Sequence, residues 1–256
     1  MKNLTQNQFR SRDINRAILQ ALLLTDGSVV QNKNQISFAN TSEVLIKAFC
    51  DLVFRVYGYQ IKKVYKGKST IQYLYLINFK SRLICLDLFS DIPTYRTSPL
   101  KNGEYPKVRI PNKWFEFNRE ELTPVLRALF DADGGCSLRI SERKKRNCIE
   151  TERVVFLACQ HPILRKQYTQ LLNKIGINCG ESSGKVTITG KENFEKFREL
   201  INFSKGVLIG YDSNHWQGIE KRELLDIMIK SYDIPYGYLQ KFEKTQVYSL
   251  LRSPSR

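Results

Sequence analysis

The chain has 256 residues, 42% of them hydrophobic, with 41 Lys and Arg against 25 Asp and Glu and a formal net charge of +16 at neutral pH. That length supports one large domain or two small ones with real cores, and that apolar content excludes a disordered chain. The surplus of positive charge predicts a polyanionic partner, while no apolar run approaches a membrane span and the opening MKNLTQNQFRSRD holds no apolar signal region. A soluble, intracellular protein with no membrane partner is therefore expected, in the cytoplasm or an organelle.

In chain order, AILQALLLTDGSVV (17–30) reads as an apolar helix ending on an acid and a glycine. Asp26 then stands where the carbonyl end of the helix dipole is already negative. Two short extended pieces follow, SVVQNK and QISFAN. Next comes a helix, SEVLIKAFCDLVFRVYG, with Ser42 as N-cap and Gly58 as its stop. YQIKKVYKGK and TIQYLYLINF are extended, and SRLICLDLF is helical. The stretch Asp91–Trp114 holds four of the eight prolines and reads as a linker.

VLRALFDADGGCSL (125–138) then repeats the first helix, placing Asp133-Gly134 where Asp26-Gly27 stood 107 residues earlier. The rest follows the same order. CSLRISERKK and RVVFLACQ are strand-like, and Pro162 opens a helix that Gly176 ends. INCGESSGKVTITG is a hairpin and KENFEKFRELINF a helix. From about Gly206 an extension begins, including a helical GIEKRELLDIMIKSY. The pattern predicts an α+β fold of two pseudo-symmetric αββαββα halves. The expected divisions are residues 1–90, a linker over 91–118, and 119–256 with its helical extension. Six cysteines form no CxxC pair and are read as reduced packing residues, and lone His161 and His215 as structural or surface groups.

Within the repeat, Ala21 and Thr25 are four apart, as are Ala128 and Ala132, so each helix carries a stripe of small residues that lets a partner backbone approach. Pairing on these stripes in parallel sets Asp26 beside Asp133. Two carboxylates at two negative dipole ends repel each other. A divalent cation reverses that sign, because carboxylates and backbone carbonyls are hard oxygen ligands suited to Mg²⁺, which also takes phosphate oxygens.

The nonapeptides LQALLLTDG and LRALFDADG resemble the motif of the LAGLIDADG homing endonucleases, in the single-chain form with two motifs. The second copy is close, and the first is looser but keeps its final Asp-Gly. The resemblance implies that Asp26 and Asp133, with the carbonyls of Thr25 and Ala132, bind Mg²⁺ or a substitute such as Mn²⁺, or Ca²⁺ in a non-cleaving complex. Asp131 matches an acid that is usually structural, and the first copy has Leu24 there. The resemblance also places Asn40 and Gln160 near the scissile phosphates and makes Lys221 the candidate organiser of the nucleophilic water. It leaves the first half's lysine unassigned. It implies a monomeric, site-specific double-strand DNA endonuclease of intron homing, cutting two phosphodiesters across the minor groove of a long asymmetric target. The alternative is an RNA maturase acting on intron RNA, or a non-catalytic DNA-binding regulator; retention of both acids argues for cleavage.

Base-reading candidates come from alternation. In CSLRISERKK, Leu138 and Ile140 face a core while Ser137, Arg139, Ser141 and Arg143 face away. In GKVTITG, Lys185, Thr187 and Thr189 oppose Val186 and Ile188. The first half offers Ser37, Lys63, Tyr65 and Gln72.

Overall fold

The computed structural model describes residues 6–68, 73–143, 148–210, 213, 215–234 and 244–252. The first half runs α1 (Gln6–Thr25), β1 (Gly27–Val30), β2 (Gln35–Asn40), α2 (Glu43–Tyr57), β3 (Val64–Lys68), β4 (Tyr73–Lys80) and α3 (Arg82–Asp91). The second runs α5 (Arg119–Asp133), β5 (Gly134–Arg143), β6 (Cys148–Ala158), α6 (Pro162–Lys174), β7 (Gly180–Ser182), β8 (Lys185–Ile188) and α7 (Lys191–Leu200). Each half builds one four-stranded antiparallel sheet, in the orders β1-β2-β4-β3 and β5-β6-β8-β7, so the expected pseudo-symmetric α+β plan is present. Among the described residues, no helix is long and apolar enough to cross a membrane.

Three features differ from the expectation. A short helix, α4 (Asn112–Glu116), lies inside the proline-rich stretch, where Trp114 is fully buried. The first motif helix ends at Thr25, so Asp26 follows it rather than filling its last turn. Ser42 takes the N-cap position of α2 without a side-chain cap, and its backbone N–H donates instead to Asn40 Oδ1 at 2.7 Å.

α1 packs along α5, and this pair forms the seam between the halves. Ala21 is fully buried and Ala128 nearly so, while Leu19, Leu22, Leu23, Val125, Leu126 and Leu129 fill the surrounding core. Thr25 and Ala132, at the acidic ends of the pair, are only partly buried. The motif glycines are required by closeness. A Cβ on Gly27 would lie 2.5 Å from Leu23 Cα, and one on Gly134 would lie 2.6 Å from the Phe130 carbonyl oxygen. Each strand can therefore fold back over the last helical turn only where there is no side chain.

The C-terminal extension contributes α8 (Lys221–Lys230) and α9 (Lys244–Arg252). It packs beside β5, which borders the second sheet. Trp216 Nε1 donates to the Leu138 carbonyl at 2.9 Å, and the Ile140 N–H donates to the Tyr248 hydroxyl at 3.1 Å. These are outward-facing groups of β5 that no strand pairs, and buried backbone groups need such partners.

Candidate functional site

The seam ends on two acids. Asn40, the last residue of β2, donates its amide to Asp26 Oδ2 at 2.7 Å, and its own Oδ1 is held by the Ser42 N–H. Burial raises the Asp26 carboxyl above its ordinary range, opposed by the Asn40 hydrogen bond and the Lys221 charge. Burial and then the charge of Asp26 push Asp133 from 3.8 to about 7, with Lys221 again opposing. The Asp26 charge thus reaches the Asp133 carboxyl. Asp131 takes a different part: it is buried and accepts the Ser204 N–H at 2.9 Å.

Lys221 stands at the start of α8 and is buried. Its ammonium donates to the carbonyls of Asp131 at 2.7 Å and Gly134 at 2.6 Å, with Phe130 at 3.4 Å. Phe130 and Asp131 lie in the last turn of α5 and Gly134 opens β5, so the cation meets the negative end of the helix dipole. Burial lowers the Lys221 ammonium, while Asp131, Cys136, Asp133 and Asp26 oppose the loss of its proton. At the end of α1 the Thr25 hydroxyl takes over, donating to the Leu22 carbonyl at 2.9 Å and the Ala21 carbonyl at 3.2 Å. The two motif helices thus end with different caps.

The donor set suits a hard divalent cation. It consists of two coupled carboxylates and main-chain carbonyls, all oxygen. Among the described residues there is no cluster of three or more His, Cys, Asp or Glu that would hold a metal alone. Two carboxylates completed by water and phosphate oxygens is a donor set that Mg²⁺ accepts. The carbonyls that Lys221 engages flank Ala132 without including it.

The polar residues at the strand ends are less symmetric than their sequence suggests. Gly27 pairs with Phe38 and Gly134 with Leu157, so register makes Cys159, and not Gln160, the counterpart of Asn40. Gln160 lies two residues beyond β6, with its amide over Gly184, where a Cβ would come within 2.5 Å of Nε2. It still lines a cavity of about 210 Å³ with Thr25, Asp133 and the linker residues Thr97, Ser98 and Pro99. A second cavity of about 520 Å³ opens between Asn40, Asp133, Ser137, Phe156, Leu208 and Lys221. Asp133 thus borders both cavities.

The exposed sheet faces carry most of the proposed readers. Ser137, Arg139 and Ser141 face away from buried Leu138 and Ile140. Lys185 and Thr187 alternate with buried Val186 and Ile188; Thr189 follows the end of β8 and is exposed. Ser37 lies between buried Ile36 and Phe38, and Lys63, just before β3, sits over the Tyr65 ring at 4.4 Å. Gln72 and the side chain of Arg143 lie outside the described residues. Register adds neighbours that alternation did not supply: Glu152 opposite Arg139, and Phe156 opposite Gly135. Phe156 sits in VVFLA, where every residue is apolar and no face can be chosen from sequence. His161 caps α6, its Nδ1 accepting the Leu164 N–H at 3.3 Å, as a structural histidine does. Five cysteines among the described residues are free.

A family model described as a LAGLIDADG-like domain matches residues 13–88 and 120–202. Among curated proteins, the chain is 26% identical over 204 residues to the replication factor C small subunit of Methanocaldococcus jannaschii, covering 77% of this chain and 10% of that protein. The chain therefore spans about a tenth of the length of that relative. Among solved structures, full-length DUF199/WhiA from Thermatoga maritima aligns with a TM-score of 0.47 at 13% identity, covering 98% of this chain and 68% of that one. The homing endonuclease I-WcaI bound to its DNA recognition sequence aligns at 0.49 and 14% identity, covering 81% and 92%. I-DmoI in complex with DNA and Mn aligns at 0.47 and 16% identity, covering 74% and 97%.

Proposed function

The chain belongs to the family of LAGLIDADG-like domains, and from that premise we propose that it is a metal-dependent, site-specific double-strand DNA endonuclease acting as a monomer in intron homing. The observation that carries the reading is the coupled acid pair. Burial penalises the charge of both Asp26 and Asp133, and the Asp26 charge raises Asp133 further. Such an arrangement is unfavourable unless a cation is meant to sit there. A divalent ion bound at the pair would lower the pKa of an attacking water and stabilise charge on the phosphate and the leaving oxygen.

The chain's own groups divide the remaining work. Asn40 fixes the Asp26 carboxylate through its amide. Lys221 holds the end of α5 and supplies positive charge toward both acids. The outward faces of the two sheets, backed by a net charge of +16, provide ribbons wide enough for the major groove on either side of the seam. A regulator that only holds DNA has no use for a coupled acid pair at the centre of its surface.

The test is incubation with a randomised duplex library in Mg²⁺, followed by sequencing of the ends. Paired cuts at one long asymmetric site are expected, and they should be lost in Asp26→Asn while binding is largely kept. Binding without cuts in any divalent metal would overturn the enzyme and favour the regulator.

A further inference from the structure

The rim of the larger cavity carries an apolar side chain where a phosphate-binding surface would be expected to carry a polar one. Leu208 is 52% exposed, while Val207 before it is 2% exposed and Ile209 after it is packed against the core. This alternation is imposed by a short antiparallel pairing. Leu208 lies opposite Glu220, the Lys221 N–H donates to the Val207 carbonyl at 2.9 Å, and the Ile209 N–H donates to the Ile219 carbonyl at 2.8 Å. The strip that carries Lys221 into the acid site therefore also holds Leu208 outward on a fixed backbone.

The position is specific. Leu208 lines the same cavity as Asp133 and as Gly135, Ser137 and Phe156 of the exposed sheet face, so it borders the side on which a duplex would lie. The linker after the first half carries two similar backbone bonds, across a shorter turn and without the bridge. The Leu100 N–H donates to the Glu104 carbonyl at 2.8 Å and the Gly103 N–H to the Leu100 carbonyl at 3.0 Å, matching the Ile209–Ile219 and Gly218–Ile209 bonds. Gly103 and Gly218 both take positive φ, at 84° and 77°. Matching these turns pairs Leu208 with Pro99, which is exposed and lines the smaller cavity beside Asp133.

A single exposed leucine on a protein surface is ordinary. Two exposed apolar residues beside similar turns, each lining a different cavity that borders Asp133 in a basic protein, call for a reason. Proteins that enter the minor groove insert Leu, Pro and similar side chains between base steps, partly unstacking them and kinking the duplex. We propose that Leu208 is such a wedge, entering the minor groove beside the scissile phosphates, with Pro99 as its counterpart at the smaller cavity. The inference rests on the endonuclease reading above. Its consequence is that the cut site is chosen partly by how easily its central base steps unstack, with no hydrogen bond to those bases.

The experiment uses the full chain and a duplex it has itself selected from a randomised library, with 2-aminopurine placed in turn at each central step. Ca²⁺ keeps the strands intact. The parent should raise the fluorescence at one central step, Leu208→Ala should lose most of that rise, and Leu208→Met should keep it. In Mg²⁺, cleavage by Leu208→Ala should fall about tenfold. No rise in the parent complex at any central step, or an alanine variant that keeps both rise and rate, overturns the wedge while the endonuclease stands. A parent that neither selects nor cuts a duplex overturns the endonuclease reading and the wedge with it.

Discussion

Replacing Asp133 by Asn should make the metal-free protein more stable, although it removes a residue at the centre of the site. The carboxyl of Asp133 is raised from 3.8 to about 7 by burial and by the charge of Asp26. A group whose pKa is raised on folding favours the folded state most below its unfolded value and disfavours it progressively as pH rises through the folded one. The window here runs from 3.8 to about 7. A displacement of that size corresponds to about 4 kcal/mol, all of it lost above neutrality. The amide cannot ionise and escapes the loss. At about pH 8 in a chelator, Asp133→Asn should therefore melt about 8–16 °C higher than the parent, at about 2–4 °C per kcal/mol for a chain of this size. At about pH 5 the parent's carboxyl is largely protonated, and the advantage should shrink to about 1.5 kcal/mol. Adding Mg²⁺ should then raise the parent's melting temperature by mass action and move the variant's less. Thermal melts at the two pH values, with and without metal, read all of this. A variant less stable than the parent at the higher pH, or one whose advantage is the same at both, would refute the buried-charge argument.

Lys221→Met should strip the Phe130, Asp131 and Gly134 carbonyls of their cation and cost about 2–3 kcal/mol in urea unfolding; an unchanged midpoint would mean that other groups serve those carbonyls. Ala128→Leu, at a site 6% exposed on the helix seam, should cost roughly 1–3 kcal/mol and slow cleavage by separating the acids, and a variant that melts and cuts like the parent would take Ala128 out of the seam. Arg139→Ala should relax recognition by about 1–3 kcal/mol at one or two adjacent base positions in a cleavage profile of single-base target variants, whereas a uniform loss would assign the guanidinium to phosphate. Tyr248→Phe should lower stability by about 1 kcal/mol, because the Ile140 N–H loses its acceptor in a buried setting; no change in the melt would mean the N–H finds another.

The fold was legible because its signals repeat. Two motif helices, two alternating strand pairs and a second helix in each half recur in the same order, and each recurrence strengthens the other. The pairing of Asp26 with Asp133 was expected from the small-residue stripes of the two motif helices, and Lys221 was named on the family resemblance. The exact strand ends were not legible. Asn40 and Gln160 look equivalent in sequence, yet register sets Cys159 opposite Asn40, because one residue of slip in a strand changes its face without changing its composition. Phe156 was hidden for a related reason, since a run of apolar residues has no alternation to read. Leu208 was missed because its outward direction depends on pairing with Glu220, which local sequence does not announce.

The caps that Trp216 and Tyr248 place on β5 also bear on how the molecule behaves among copies of itself. β1, the corresponding border of the first sheet, is four residues long and offers little to pair with. β5 is ten residues long, and an uncovered strand of that length is a template for intermolecular pairing. The side chains that close it lie in the C-terminal extension, after the last element of the repeated plan. A chain trimmed after the second repeat would keep both acids and both sheets, but would lose Lys221 and expose a sticky border. Its failure would include self-association and poor recovery, beside whatever the loss of Lys221 does at the acid pair.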